Sequence, residues 1–296
     1  MKKLFLHTVA VFTVSSLFAN ERSPLEIGYV HEFESGIDGG GDVSNDFFHI
    51  KGRAPLVLQD DFLLTLSASY YLNDYSFSGG SAGSFAALNP WDSVHTFQLG
   101  GFSRWNFAEN WELFAIPNIR FTGDGDADFG GSVSGGSLAG VSYSFGDRLK
   151  LGPGIGYITQ LEDDASIFPI ILVDWKITDS LSLSTGPPVG ASLGPGLSLK
   201  HQVTDRVRFS VGARYERFRF RLDEQSRVSP NGIGEDKSVP VFAALGWQAT
   251  DLIEATILGG VGFGNELSLE DESGDTITSA NYDSSPFIGI NFRLTF

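Results

Sequence analysis

The chain has 296 residues, 36 acidic against 20 basic, a formal charge of −16 and no cysteine. The missing thiols exclude a disulfide scaffold, a thiolate metal centre, an iron–sulfur cluster and a cysteine nucleophile. The acidity excludes nucleic acid as a partner, because phosphate binding needs clustered Lys and Arg to displace counterions.

Lys2 and Lys3 precede an apolar stretch from Leu4 to Phe18 and a small residue, Ala19, the pattern of a secretory signal peptide over residues 1–19. Leu17, the third residue before the cut, is larger than the small residue usual there, which leaves a cleavage nearer Ser16 open. Residues 20–296 then form one domain, with 18 basic against 36 acidic side chains and a net charge of −18. Beyond residue 19 the longest apolar run, Ile167 to Val173, has seven residues and includes Pro169. A spanning helix needs about 20 apolar residues, so soluble export and a transmembrane β-barrel remain.

Short acidic turns recur along the chain, each flanked by apolar residues: Leu58 to Phe62, Phe107 to Trp111, Phe145 to Leu149, Ile177 to Leu181, Val203 to Val207 and Ala249 to Ile253. Asp, Asn, Ser and Thr bond their own backbone and suit tight hairpins. From Asp60 to Asp251 the acidic residues stand 49, 38, 32, 26 and 46 positions apart. Two tilted spanning strands and a turn use about 23 residues, so each interval holds two strands and a loop of variable length. Six such turns join twelve strands, and a strand at each end makes fourteen, with twelve or sixteen as alternatives. The interval containing Pro187 and Pro188, between Gly186 and Ser192, is the one most open to a different count.

The segments between turns alternate with period two. In the last, Ile288, Ile290, Phe292, Leu294 and Phe296 alternate with Gly289, Asn291, Arg293 and Thr295. In another, Val207, Phe209, Val211, Ala213 and Tyr215 alternate with Arg208, Ser210, Gly212, Arg214 and Glu216. Polar loops are expected at 35–46, 73–92, 122–136, 223–237 and 265–285. The asymmetry of short turns and long loops, and the aromatics beside the turns (Phe62, Trp105, Phe107, Trp111, Tyr143, Phe145, Trp175, Phe209, Trp247 and Phe296), predict an all-β, antiparallel up-and-down transmembrane barrel.

The chain's end, with Leu294 and Phe296 in place and Asn291 where a Gly is usual, is similar to the C-terminal signal of outer-membrane barrels. The whole mature chain resembles single-chain bacterial outer-membrane β-barrels, most closely porin-like families classed as domains of unknown function. That resemblance implies an outer-membrane location, contact with membrane lipid and lipopolysaccharide, and recognition of Phe292, Leu294 and Phe296 by the barrel assembly machinery. It implies no substrate.

If apolar residues face lipid, the opposite parity lines the lumen. It carries Lys51, Arg53, Arg104, Arg120, Arg148, Lys150, Lys176, Lys200, Arg208, Arg214 and Arg293 against Glu26, Glu112, Asp174, Glu216 and Glu254, a local charge of +6. Arg53, Arg120 and Arg214 stand farthest from the turns, whereas rim cations such as Lys176 and Arg208 have acids nearby for pairing. Pairing about the 203–207 turn sets Arg214 opposite Gly196. Arg217, Arg219 and Arg221 follow a slip in the apolar parity from Tyr215 to Phe218, which predicts a bulge near Glu216. They form a column at the outer mouth, for anions or for pairing with Asp223, Glu224 or the 270–275 acids. Inward glycines, among them Gly152, Gly154, Gly156, Gly194, Gly196, Gly260, Gly262 and Gly264, predict interior space for solute or for an infolded loop.

No motif predicts catalysis, a metal site or a cofactor. Asp124, Asp126 and Asp128 lack the glycine and glutamate of an EF-hand, and the histidines show no zinc spacing. The leading expectation is a passive, non-enzymatic channel for small solutes, anionic ones among them. The alternatives are a closed structural or adhesion barrel with a loop-filled lumen, and a lipid-modifying enzyme using His201 on the lipid face.

Overall fold

The computed structural model describes residues 23–185 and 196–296. The expected signal peptide, Gly194 and the segment with Pro187 and Pro188 lie outside the described residues. Along the first half run β1 (Pro24–Gly36), β2 (Asp42–Leu58), β3 (Phe62–Ser78), the short helix α1 (Phe85–Leu88), β4 (Ser93–Ala108), β5 (Trp111–Asp124), β6 (Val133–Phe145), β7 (Leu149–Gln160) and β8 (Asp163–Lys176). The second half holds β9 (Leu181–Ser184), β10 (Gly196–Thr204), β11 (Val207–Arg214), β12 (Glu216–Arg221), β13 (Ile233–Gln248), β14 (Ile253–Glu270), β15 (Thr276–Tyr282) and β16 (Ser285–Thr295).

Neighbours pair antiparallel, and β16 pairs with both β14 and β1, which closes the sheet. Strands β11 and β12 lie end to end along one edge of β13, and β15 and β16 along one edge of β14. The wall is therefore a closed barrel of fourteen strands.

All six predicted turns join the strands they were read to join. The threonine beside the acid does the local bonding in three of them. Thr178, Thr204 and Thr250 each accept at Oγ1 from the amide three residues on, at 3.0, 3.1 and 3.1 Å. Asn110 and Gly146 supply the left-handed backbone in two others, with φ of 64° and 65°. The aromatic row beside the turns faces outward, and Trp105, Phe107, Trp111, Trp175 and Trp247 are exposed.

The long-loop end departs from expectation. The stretches read as loops at 35–46 and 265–285 are largely strand, that at 73–92 begins as strand and holds α1, and β2 and β3 run on in register to Asp42↔Ser78. Their inward residues, Val43, Tyr75, Phe77, Leu267 and Leu269, pack with Phe85, Trp91, Phe220, Leu222 and Tyr282 into a buried core that fills the mouth. Trp91 is 2% exposed and belongs to this plug, so it stands apart from the aromatic girdle of the other four tryptophans.

The bulge expected near Glu216 is absent. Pairing of β11 and β12 with β13 keeps one register from Val207↔Trp247 to Arg221↔Ile233, and the irregularity lies instead between Lys237 and Val239 on the β14 side. The parity of Tyr215 therefore continues through Arg217, Arg219 and Arg221, and Phe218, Phe220 and Leu222 are the inward set. They sit in the plug core or pack against it. What changes along the strand is its surroundings: β12 leaves the outward apolar band, crosses the mouth and pairs in parallel with β5 at Arg221↔Gly123.

Candidate functional site: the lumen beneath the plug

Under the plug lies an internal cavity of about 470 Å³. Its mouth-side lining includes Tyr75, Phe218 and Asp236, and its walls are drawn from strands all round the barrel. Two stretches of the wall are apolar, Ile158 and Phe168 on β7 and β8, and Leu258 and Phe287 on β14 and β16. Lower in the lumen Phe114 and Phe242 also point inward and are buried, which a water-filled pore would not require.

The inward glycines explain how these rings fit. A Cβ on Gly140 would lie 2.8 Å from Phe114 Cζ, one on Gly212 2.7 Å from Phe242 Cζ, and one on Gly260 2.6 Å from Phe287 Cζ. Each glycine gives up its side-chain volume so that a ring from a neighbouring strand lies flat against the wall. The interior space expected of Gly154, Gly156 and Gly260 is thus occupied by Ile170, Phe168 and Phe287.

The predicted lumen cations fall into three groups. Near the turns, Lys150 and Arg104 reach Glu112 at 2.9 and 3.7 Å, Arg293 reaches Glu26 at 2.7 Å and Glu254 at 3.8 Å, and Arg208 reaches Glu254 at 3.4 Å. Arg148 pairs with Asp179 on the next turn, outside the lumen wall. Lys51 stands 5.6 Å from the Tyr71 ring centroid, and Arg53 is exposed one inward step nearer the turns.

At the cavity, Arg214 lies opposite Gly196 as expected and pairs with Glu216 at 2.7 Å. Arg120, at the same cavity, has no such pairing. Its Nε donates to Ser134 Oγ at 3.1 Å, and among the described residues no carboxylate stands within 4 Å of its guanidinium.

The third group is the outer column. Arg217 bonds Glu235 at 2.7 Å and Asp163 at 3.1 Å. Arg219 bonds Glu235 at 2.8 Å, Glu270 at 2.6 and 2.9 Å, and the Leu161 carbonyl at 2.9 Å. Arg221 bonds Glu162, the Gly131 carbonyl at 2.9 Å and the Asn231 carbonyl at 2.7 Å. These guanidiniums tie β12 to the β7–β8 turn and to β13 and β14, with Glu270 coming from the predicted acidic run.

Alternation missed two inward acids, Glu32 on β1 and Asp236 on β13, both lining the cavity. With these and without Arg148, the wall is less cationic than the predicted +6. Glu32 follows the parity of Glu26, Gly28 and Val30 and was legible on that ground, whereas Asp236 falls in a stretch read as loop. On the outer face His31 contacts Asp46 at 2.7 Å and Tyr70 contacts His95 at 2.8 Å, so outward histidines are not confined to His201. Among the described residues no cluster of His, Asp and Glu is placed to hold a metal ion.

No protein-family model and no curated protein matches the chain. Among solved structures, an outer-membrane channel from Pseudomonas putida F1 superposes with a TM-score of 0.54 at 10% identity, covering 96% of this chain and 98% of that one. A FadL homologue from Pseudomonas aeruginosa gives 0.52 at 13% identity, covering 93% and 90%. At such identities the similarity is one of fold: this chain is built as outer-membrane β-barrels are.

Proposed function

We propose that the chain is an outer-membrane channel that passes small solutes one at a time, each held by an anionic group at Arg120 and by an apolar part against Ile158, Phe168 and Phe287. The observation that carries this reading is Arg120 itself, a guanidinium without an ionic partner among the described residues, in a cavity otherwise rich in apolar surface. A cation partly withdrawn from water without a counter-ion is costly, and a solute carboxylate or phosphate satisfies it. One of the superposed structures is named an outer-membrane channel, which supports transport over catalysis. Export through a cleaved leader over residues 1–19, residence in outer-membrane lipid and lipopolysaccharide, and insertion guided by Phe292, Leu294 and Phe296 belong to the same reading.

The plug favours a second reading, a closed structural barrel, since its core occupies the mouth. Planar-bilayer recording with the mature chain separates the two. The channel reading expects conductance that 4-phenylbutyrate blocks in a saturable way, with the half-blocking concentration rising about tenfold in Arg120→Ala, the loss of one charge-assisted bond. Absence of conductance, or a block indifferent to Arg120, overturns it.

A further inference from the structure

We propose that the cavity reads two charges, and that its solute is a zwitterion with an apolar body, of the class of short peptides of apolar residues. This rests on the reading of Arg120 as an anion site and adds a second pole to it.

The second pole is on other strands of the same cavity. Arg120 on β5 stands four strands from Glu32 on β1, and β13, which carries Asp236, stands seven places from β5 round the antiparallel wall but two at the mouth, where β12 pairs with β5. Beside Asp236, Glu32 on β1 and Glu216 on β12 line the same cavity. Arg214 is the cation facing these three acids, and it is engaged with Glu216 at 2.7 Å. Asp236 accepts from the Tyr75 and Tyr282 hydroxyls at 2.9 and 3.0 Å, and Glu32 accepts from the Ser285 hydroxyl. Hydroxyl donors orient a carboxylate without balancing its charge. Arg217 and Arg219 reach the cavity rim, but their guanidiniums are held by Glu235, Glu270 and Asp163.

Two further observations point to a ligand on that wall. Asn45 lines the cavity at 9% exposure, and its Oδ1 has no hydrogen-bond partner. The rings of Phe47 and Phe287 line the same space, and an aromatic ring attracts a cation through its quadrupole. The acids do not cluster tightly enough for a metal ion. An ammonium group needs only two or three acceptors and an aromatic face, and this wall supplies both.

A separation of four strands between Arg120 and Glu32 selects for charges separated by more than the two bonds between the amino and carboxyl groups of a single amino acid. A dipeptide or tripeptide sets its terminal ammonium and carboxylate apart with apolar side chains between them, and 470 Å³ lies within the range of cavities that enclose small organic ligands. The ammonium then lies against Glu32 and Asp236, the carboxylate against Arg120, and the side chains against Phe168, Ile158 and Phe287.

Titration calorimetry on the mature chain in detergent tests this with four probes: Phe-Leu, N-acetyl-Phe-Leu, Phe-Leu amide and 4-phenylbutyrate. Phe-Leu is expected to bind about tenfold more tightly than either peptide lacking one charge, the worth of one charge-assisted bond. Glu32→Gln is expected to reduce that preference over the acetylated peptide to less than about threefold, and Asp236→Asn gives a second reading of the same wall. Equal or tighter binding of N-acetyl-Phe-Leu overturns the proposal and leaves the anion site standing, as does binding of 4-phenylbutyrate without any peptide. If none of the four binds, the anion site falls with it. Should either variant fail to fold, judged by heat-modifiable mobility, the comparison on the unaltered protein decides.

Discussion

Arg221 on β12 pairs side by side with Gly123 on β5, and this is the parallel step in an otherwise antiparallel set of described pairings. It carries the wall from β12 to β5 above β6–β11, so the barrel narrows where the plug fills it. The aromatic cluster of Trp91, Tyr75 and Phe220 lies directly inside that narrowing, with the Trp91 and Phe220 centroids 5.1 Å apart.

Removing either ring opens this mouth. Phe220 is fully buried, and Phe220→Ala is expected to cost about 3–5 kcal/mol through lost transfer and a residual cavity. Urea titration in detergent measures the loss, and bilayer recording is expected to show higher mean conductance in the same variant. Unchanged conductance with lowered stability would mean that the plug does not lie on the solute's path.

The ion network on the other face of β12 is expected to be as sensitive. Arg219 is 6% exposed, and Arg219→Met leaves Glu270 buried without its cation, a loss of about 3–5 kcal/mol. Adding Glu270→Gln recovers a measurable part, because the two residues act as one unit in a double-mutant cycle. By contrast Arg148→Ala, which breaks an exposed pair with Asp179, is expected to leave the unfolding midpoint unchanged.

Glycine positions on the wall divide by what stands opposite them. A Cβ at Gly140 would meet the Pro153 carbonyl at 2.5 Å and the Phe114 ring at 2.8 Å, so Gly140→Ala is expected to destabilise by about 1–3 kcal/mol through overpacking. Gly52 has open space at its Cβ, and Gly52→Ala is expected to lie within about 0.5 kcal/mol of the parent. Heat-modifiable mobility of the pair ranks them directly.

The end of the chain makes a separate prediction. Phe292 on β16, the strand that joins β14 to β1, and Phe296 just past its end are both exposed. Phe296→Ser is expected to lower the amount of barrel reaching the outer membrane in cells while leaving refolding of purified chain into detergent unaffected. An equal defect in both settings would assign Phe296 to stability alone.

The strands and turns were legible because their cues are local: period-two alternation, and Thr178, Thr204 or Thr250 beside an acid. Arg214 opposite Gly196 followed from one turn and a count. The mouth was illegible for a physical reason. Phe218, Phe220 and Leu222 alternate as a lipid-facing strand does, and the pattern cannot say whether the apolar neighbour is a bilayer or Trp91. The partners of Arg219 were hidden likewise, since Glu235 and Glu270 reach it only through the pairing of three strands. Asp236 went unseen because the stretch before it, rich in Ser, Gly and charge, gives no period to count from.

The plug draws Ile37 and Val43 from the first hairpin and Leu267, Leu269 and Tyr282 from the last, and Ile37 bridges Tyr282 directly. Those two hairpins become neighbours only when the seam between β1 and β16 has zipped. The part of the mouth core that those two hairpins share is therefore a late event in assembly, with most of the chain between them. Sealing of the outer end reports that the circle is complete, so a barrel arrested with an open seam would be leaky as well as unstable.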